Sequence, residues 1–276
     1  MNTALNARFL NTSSDSLLRF ARAPCGETFL EEQLLRFPYH ITRVHRANTS
    51  SPRADLCLQA LGGGLVEGDN ILLNVGLDPE THVRLTTQSS NKIHSMRGGL
   101  ARQEVRLNVA SGAWLEYLPR PLILFPDSDS SNRTCITLHS GGAAVVIDAF
   151  YPHDPLATDR TPKVFTNTVE VHDTYGRLLV RDALGATAED FYRQPEWVGG
   201  LTCQCSIFFL GRAAQKSVLK GFRRRTALAD LASSQLPNDA GWCVRGFVGG
   251  AEALLRVVDE LLAQMRAESN RPVNPS

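Results

Sequence analysis

The chain has six cysteines and not one Cys-x-x-Cys pair. Cys25, Cys57, Cys135, Cys203, Cys205 and Cys243 are scattered, so neither a disulfide framework nor a thiolate zinc site is spelled out. Charge of one sign is also lacking: 29 Lys and Arg face 28 Asp and Glu, a formal net charge of +1, which removes the broad electrostatic case for nucleic acid. No run approaches the roughly 20 apolar residues that a membrane span needs. The opening "MNTALNARFLNTSSDSLLRF" holds no apolar stretch of signal-peptide length. Asn-x-Ser/Thr triplets at Asn11, Asn48 and Asn132 are therefore chance matches, and the expectation is a cytoplasmic protein with reduced thiols. The histidines form no His-x-x-x-His or His-Glu-x-x-His, and no Gly-x-Ser-x-Gly elbow occurs, which leaves no signal for a zinc helix or an activated serine.

What the sequence has in quantity is short alternating segments. In "ADLCLQAL", Leu56, Leu58 and Ala60 alternate with Cys57, Gln59 and Leu61; "HVRLTTQ" and "RQEVRLNV" repeat the pattern. Turn dipeptides (Asp-Pro, Gly-Gly, Ser-Gly, Tyr-Gly) separate them at strand spacing. With no helices between the strands, a βαβ array is excluded, and a mainly β fold is expected: a large irregular sandwich or β-helix-like stack. The last quarter changes period. Val218, Leu219, Phe222, Leu228 and Leu231 fall at roughly helical intervals, and "AEALLRVVDELLAQMRAES" carries a clear stripe of Leu254, Val258, Leu261 and Met265. Two helices near the C-terminus are thus expected, on one domain spanning 1–276, with a β-rich core over 1–200 and an α/β portion over 201–276. The run Arg223-Arg224-Arg225, with Lys216 and Lys220, reads as a solvated helix face able to dock an acidic partner.

The stretch "LGGGLVEGDN" invites a nucleotide reading. Gly63 and Gly68 have the glycine spacing of a phosphate loop, but Asp69 and Asn70 occupy the Lys and Ser/Thr positions, and a strand follows where a helix is needed. A tight turn using positive φ is the alternative.

Taken in order, "GGGLVEGDNILLNV", "TTQSSNKIH", "LEYLPRPLILFPDS", "LLVRDAL" and "PEWVGGLTC" resemble the urease accessory proteins of the UreD (UreH) family over roughly residues 28 to 210. The family usually has Gly at Glu67, and Lys-aromatic-Tyr where this chain has Lys92-Ile93-His94. The resemblance implies a β-rich, non-enzymatic maturation factor. Its partners would be apo-urease and accessory proteins of the UreF and UreG types, the latter a GTPase. It would hold no tight cofactor, and nickel would pass transiently through an internal route.

Carboxylates inside apolar segments are the residue-level signal. Asp148 lies within "AAVVIDAF", where a carboxylate costs several kcal/mol unless paired, hydrated or facing a metal. A strand-end aspartate reaching water or a backbone N–H is the plain account; a carboxylate lining a wet passage, holding a divalent cation weakly, is the functional one. Glu116 in "WLEYLP" and Asp182 in "LLVRDAL" interrupt strands in the same way. By the resemblance, Asp69, Asp148 and Asp182 are placed in or near the passage, with Thr86 and Glu116 as weaker additions. The competing reading, a β-structured carbohydrate-active hydrolase with Glu116, Asp148 or Asp182 as paired carboxylates, lacks the aromatic platform that a sugar needs, since only 7% of residues are aromatic. Cys203 and Cys205 would share one face of a strand, more simply as core thiols than as ligands.

Overall fold

A computed structural model describes residues 15–46, 52–198, 200–214 and 217–269. Nineteen strands in these residues form two sheets. The first sheet holds β1 (Asp15–Arg22), β2 (Thr28–Leu34), β6 (Asn70–Leu77), β9 (Ala101–Val109), β12 (Asp129–Leu138), β14 (Val164–His172) and β15 (Leu178–Thr187), in the order β15-β14-β12-β9-β6-β1-β2. The second holds β3 (Tyr39–His40), β4 (His45–Arg46), β5 (Ala54–Ala60), β7 (His82–Thr87), β8 (Lys92–Ile93), β10 (Trp114–Leu118), β11 (Leu122–Leu124), β13 (Ala143–Pro152), β16 (Cys203–Gly211), β17 (Arg223–Thr226), β18 (Ala229–Gln235) and β19 (Gly241–Val248). Its main path is β17-β18-β19-β16-β13-β10-β7-β5-β3. The chain steps from one sheet to the other between β5 and β14, and like strands pair in parallel: β6 with β9, β9 with β12, β7 with β10, β10 with β13. This is the coil of a β-solenoid, as the strand spacing implied.

The coils stack through their turns. Gly112 adopts a φ of +73° at the turn that meets the Glu80 side chain of the preceding coil, a left-handed conformation that favours glycine. The Gly-rich stretch is likewise a turn. Gly64 has a φ of +136°, and its added Cβ would meet the Lys92 carbonyl oxygen at 2.3 Å. Strand β6, not a helix, follows it, which leaves no frame for phosphate.

Alternation then sorts the side chains. Leu115 and Tyr117 of β10 enter the space between the sheets, while Trp114 and Leu118 pack on the far side of the second sheet. That far side is covered by helix α2 (Ala251–Ser269), whose Leu254, Val258, Leu261 and Met265 are buried as the stripe predicted. The other helix, α1 (Ala188–Val198), is not where the sequence pattern put it. The window expected to be helical forms two short 3-10 turns, Arg212–Ala214 and Ser217–Leu219, then the β17–β18 hairpin. Gly221, at φ +68°, ends any helix there. Ala229 and Leu231 are buried with period two, whereas Leu228, half of the apparent helical spacing, is exposed. Arg223–Arg225 consequently lie on an edge strand and not on a helix; Lys216 is outside the described residues. α1 begins with a signal that the periodicity hides: the Asp190 carboxylate accepts from both the N–H and the hydroxyl of Thr187, each at 2.8 Å.

Candidate functional site

Between the sheets, two apolar clusters are separated by a polar layer. One cluster includes Phe20, Leu73, Val105 and Val169; the other includes Ile71, Ala101, Phe150 and Phe165. Register explains the layer. In the first sheet Gln103, Asn132 and Asn167 stand side by side on β9, β12 and β14. In the second, Asp148, Ser206 and Arg245 stand side by side on β13, β16 and β19. The two rows meet across the gap: Asn132 Nδ2 donates to Asn167 Oδ1 at 2.7 Å, and Asn167 Nδ2 donates to Asp148 Oδ2. Asp182 of β15 closes the end of the layer, where its Oδ2 accepts from Arg245 Nη2.

Three cavities follow this layer and share walls. The first, about 50 Å³, is lined by Tyr39, Leu58, Thr87, Ser89, Gln103 and Tyr117 among others. The second, about 40 Å³, shares Gln103, Tyr117 and Arg120 with the first and adds Asn132 and Asp148. The third, also about 40 Å³, has Asp148 again, with Asn167, Asp182, Gln204, Ser206 and Arg245. Each exceeds the roughly 10–15 Å³ that one water needs. Asp148 is thus the partition between the second and third. Gln103 Oε1 is buried with no hydrogen-bond partner among the described residues, an acceptor left for water or a cation.

The electrostatics single out Asp148. Burial pushes its carboxyl up to about 6, against the Asn167 hydrogen bond that favours the anion; Asp182 raises it further and Arg245 lowers it. Burial also raises the phenol of Tyr117, which stays neutral.

The sequence candidates do not all gather here. Asp148 and Asp182 line one cavity. Asp69 sits in the glycine turn, its Oδ2 accepting from Val66 N–H at 2.8 Å, and lines none of the three. Thr86 hydrogen-bonds the Leu56 carbonyl at 3.4 Å; its neighbour Thr87 faces the first cavity. Glu116, 2% exposed, lies on the opposite face of the second sheet. There its Oε1 accepts from Arg266 Nη2 of α2 at 2.9 Å, while Oε2 lies 3.3 Å from Arg84 Nε and 3.9 Å from Arg53 Nη1. Glu116 and Asp148 therefore cannot flank one glycosidic bond. Cys203 and Cys205 are buried under α2, and burial pushes the Cys203 thiol up to about 12, which suits core packing and not thiolate ligation. Among the described residues, no three of His, Cys, Asp and Glu converge as a metal cluster.

Gln103, Asn132, Asn167, Ser206 and Arg245 went unrecognised in the sequence. Asn132 and Asn167 each put an amide on an inward position of a β-strand, and that was the available signal; the Asn132 triplet is no surface acceptor, since Asn132 is hydrogen-bonded between the sheets. Asn11 and Asn48 lie outside the described residues. Among the described residues, no helix is long and apolar enough to cross a membrane.

A two-sheet solenoid with a carboxylate and amide layer through its middle defines a class of β-solenoid proteins with a polar interior. The comparisons narrow the class. The chain matches the UreD urease accessory protein family over residues 14–276, and it belongs to that family. It is 32% identical over 261 residues to urease accessory protein UreD 1 of Pseudomonas syringae pv. syringae, covering 92% of this chain and 91% of the relative. It is 35% identical over 261 residues to urease accessory protein UreD 1 of Methylorubrum populi, covering 89% and 87%.

Proposed function

We propose that this chain is a cytoplasmic, non-catalytic maturation factor. It binds apo-urease subunits together with accessory proteins of the UreF and UreG types, and the polar layer between its sheets is the route by which nickel passes toward the urease active site. Family membership supports the urease role. The observation that carries the passage is the run of three wall-sharing cavities with Asp148 at their junction. Two carboxylates, amides and hydroxyls offer hard oxygen donors to a first-row divalent cation, which prefers nitrogen or sulfur at a tight site; such donors hold it weakly, as transit requires. No tightly bound cofactor is part of this reading. GTP hydrolysis belongs to the partner, because this chain's own glycine turn carries Asp69 and Asn70 where a phosphate loop needs Lys and Ser/Thr. Asp69, Thr86 and Glu116 line none of the three cavities and have no part in this reading of the passage.

The test is nickel content. Asp148→Ala and Asp182→Ala, singly and together, are co-expressed with urease and its other accessory proteins, and the purified urease is assayed for bound nickel. Nickel is expected to fall in each single variant and to approach zero in the double. Full loading by the double variant refutes the passage.

A further inference from the structure

Arg245 lies at the Asp182 end of a layer suited to cations, although its own charge opposes them. Its Nε donates to Ser206 Oγ at 2.9 Å and its Nη2 to Asp182 Oδ2, and it lines the cavity that Asp148 and Asp182 share. Among the described residues it forms no ion pair with Asp148, whose Oδ2 is engaged by Asn167. One guanidinium between two carboxylates leaves that pocket with a net charge of about −1 when all are ionised. A divalent cation entering beside the guanidinium would leave the pocket positive, with two like charges side by side. With the guanidinium gone, a divalent cation meets two carboxylates and the charges cancel. Arg245 and a divalent cation therefore exclude each other.

The side chain also has somewhere to go. It is 46% exposed, at the solvent end of the layer. On β18, the adjacent strand, register puts Asp230 on the same face, opposite Phe247 and two residues along from the Arg245–Ala232 pair; Asp230 is 50% exposed and already lies 3.9 Å from Arg225 Nε, so Arg245 would share it.

We infer that Arg245 is the gate of the Asp182 end of the passage: its guanidinium holds the place of the divalent cation between Asp148 and Asp182, and has to swing out before a cation can lodge there. The inference rests on the passage reading. It also gives the pocket a way to stay clear of stray divalent ions until a partner draws the side chain away. A purely structural arginine makes the opposite prediction, because its loss would loosen the pocket and weaken any binding there.

The full-length protein, purified and metal-free, is titrated with Ni²⁺ alone in equilibrium dialysis. Arg245→Gln is expected to bind Ni²⁺ about tenfold more tightly than wild type, because one like charge is removed from beside the ion. Adding Asp148→Asn to that chain is expected to return the affinity to the wild-type level. Ser206→Ala removes one of the three hydrogen bonds, to Ser206, Asp182 and Cys243, that hold the guanidinium inward and is expected to tighten binding by about threefold. It serves as the test should Arg245→Gln not fold. Unchanged or weaker Ni²⁺ binding in folded Arg245→Gln, or in Ser206→Ala where that variant does not fold, overturns the gate. If urease loading depends on Asp148 and Asp182 while Arg245→Gln binds no more tightly, the gate alone falls; if loading ignores both carboxylates, the passage falls and the gate with it.

Discussion

Glu116 and Asp148 are two carboxylates on neighbouring strands of one sheet, and they live on opposite faces under opposite rules. Glu116 is enclosed between the sheet and α2, with guanidiniums of Arg53, Arg84 and Arg266 around it. Its charge is compensated, and it ties the C-terminal helix to the sheet, an arrangement that Arg84–Asp259 and Arg120–Glu252 extend along the same helix. Asp148 has an amide as its direct partner, a cavity on either side, and a carboxyl pushed up to about 6. One acid is built into the framework; the other is held at a cost in free energy that the framework meets. Interrupted hydrophobicity looks the same in sequence for both, and only the partners tell them apart.

The largest effect that sharpens this contrast is Glu116→Ala. Removing the acid leaves guanidiniums facing an apolar interface without their counter-ion, and about 3 kcal/mol of stability should be lost in urea unfolding, less than for a fully enclosed pair because Arg266 is half exposed. Urease loading should fall only as far as the folded fraction falls.

Asp148→Asn should move stability the other way. The folded carboxyl titrates near 6, above its ordinary value of 3.8, so the folded state resists ionisation. That penalty is complete above pH 6, fades as pH falls, and is absent below about 3.8. The amide should therefore stabilise the protein by about 2 kcal/mol at pH 8, after allowance for partial solvent contact, with no difference from wild type near pH 3.5, read from unfolding midpoints across pH. A destabilised Asp148→Asn at pH 8 would put both acids in the same structural role and end the comparison.

The smallest effect is expected at Asp182→Asn. Its ion pair with Arg245 joins side chains 28% and 46% exposed, and such pairs contribute roughly 0.5 kcal/mol. A loss of several kcal/mol on thermal unfolding would move Asp182 to the side of Glu116.

Much of this protein could be read locally. Alternation with frequent turns is a property of consecutive residues, and it determined the β-rich stack; the Leu254–Met265 stripe determined α2 because one helix face needs only its own sequence to be seen. The glycine turn was legible too, since Asp69 and Asn70 deny it a phosphate. Local pattern failed where two periods coincide, as at Leu228 and Leu231, and where a short cap outweighs a proline, as in α1 with Thr187 and Asp190 ahead of Pro195.

What tertiary structure alone decided is the polar layer. Gln103, Asn132 and Asn167 are at least 29 residues apart from one another in the chain, as are Asp148, Ser206 and Arg245, and all but Asp148 are unremarked among their own neighbours. Register across strands sets them side by side, and the crossing of the two sheets sets row against row. The sequence by itself determined that acids sit within apolar strands. Which of them face a hollow, and which face arginines, depends on a pairing that a shift of one residue would invert, because successive side chains of a strand point to opposite faces.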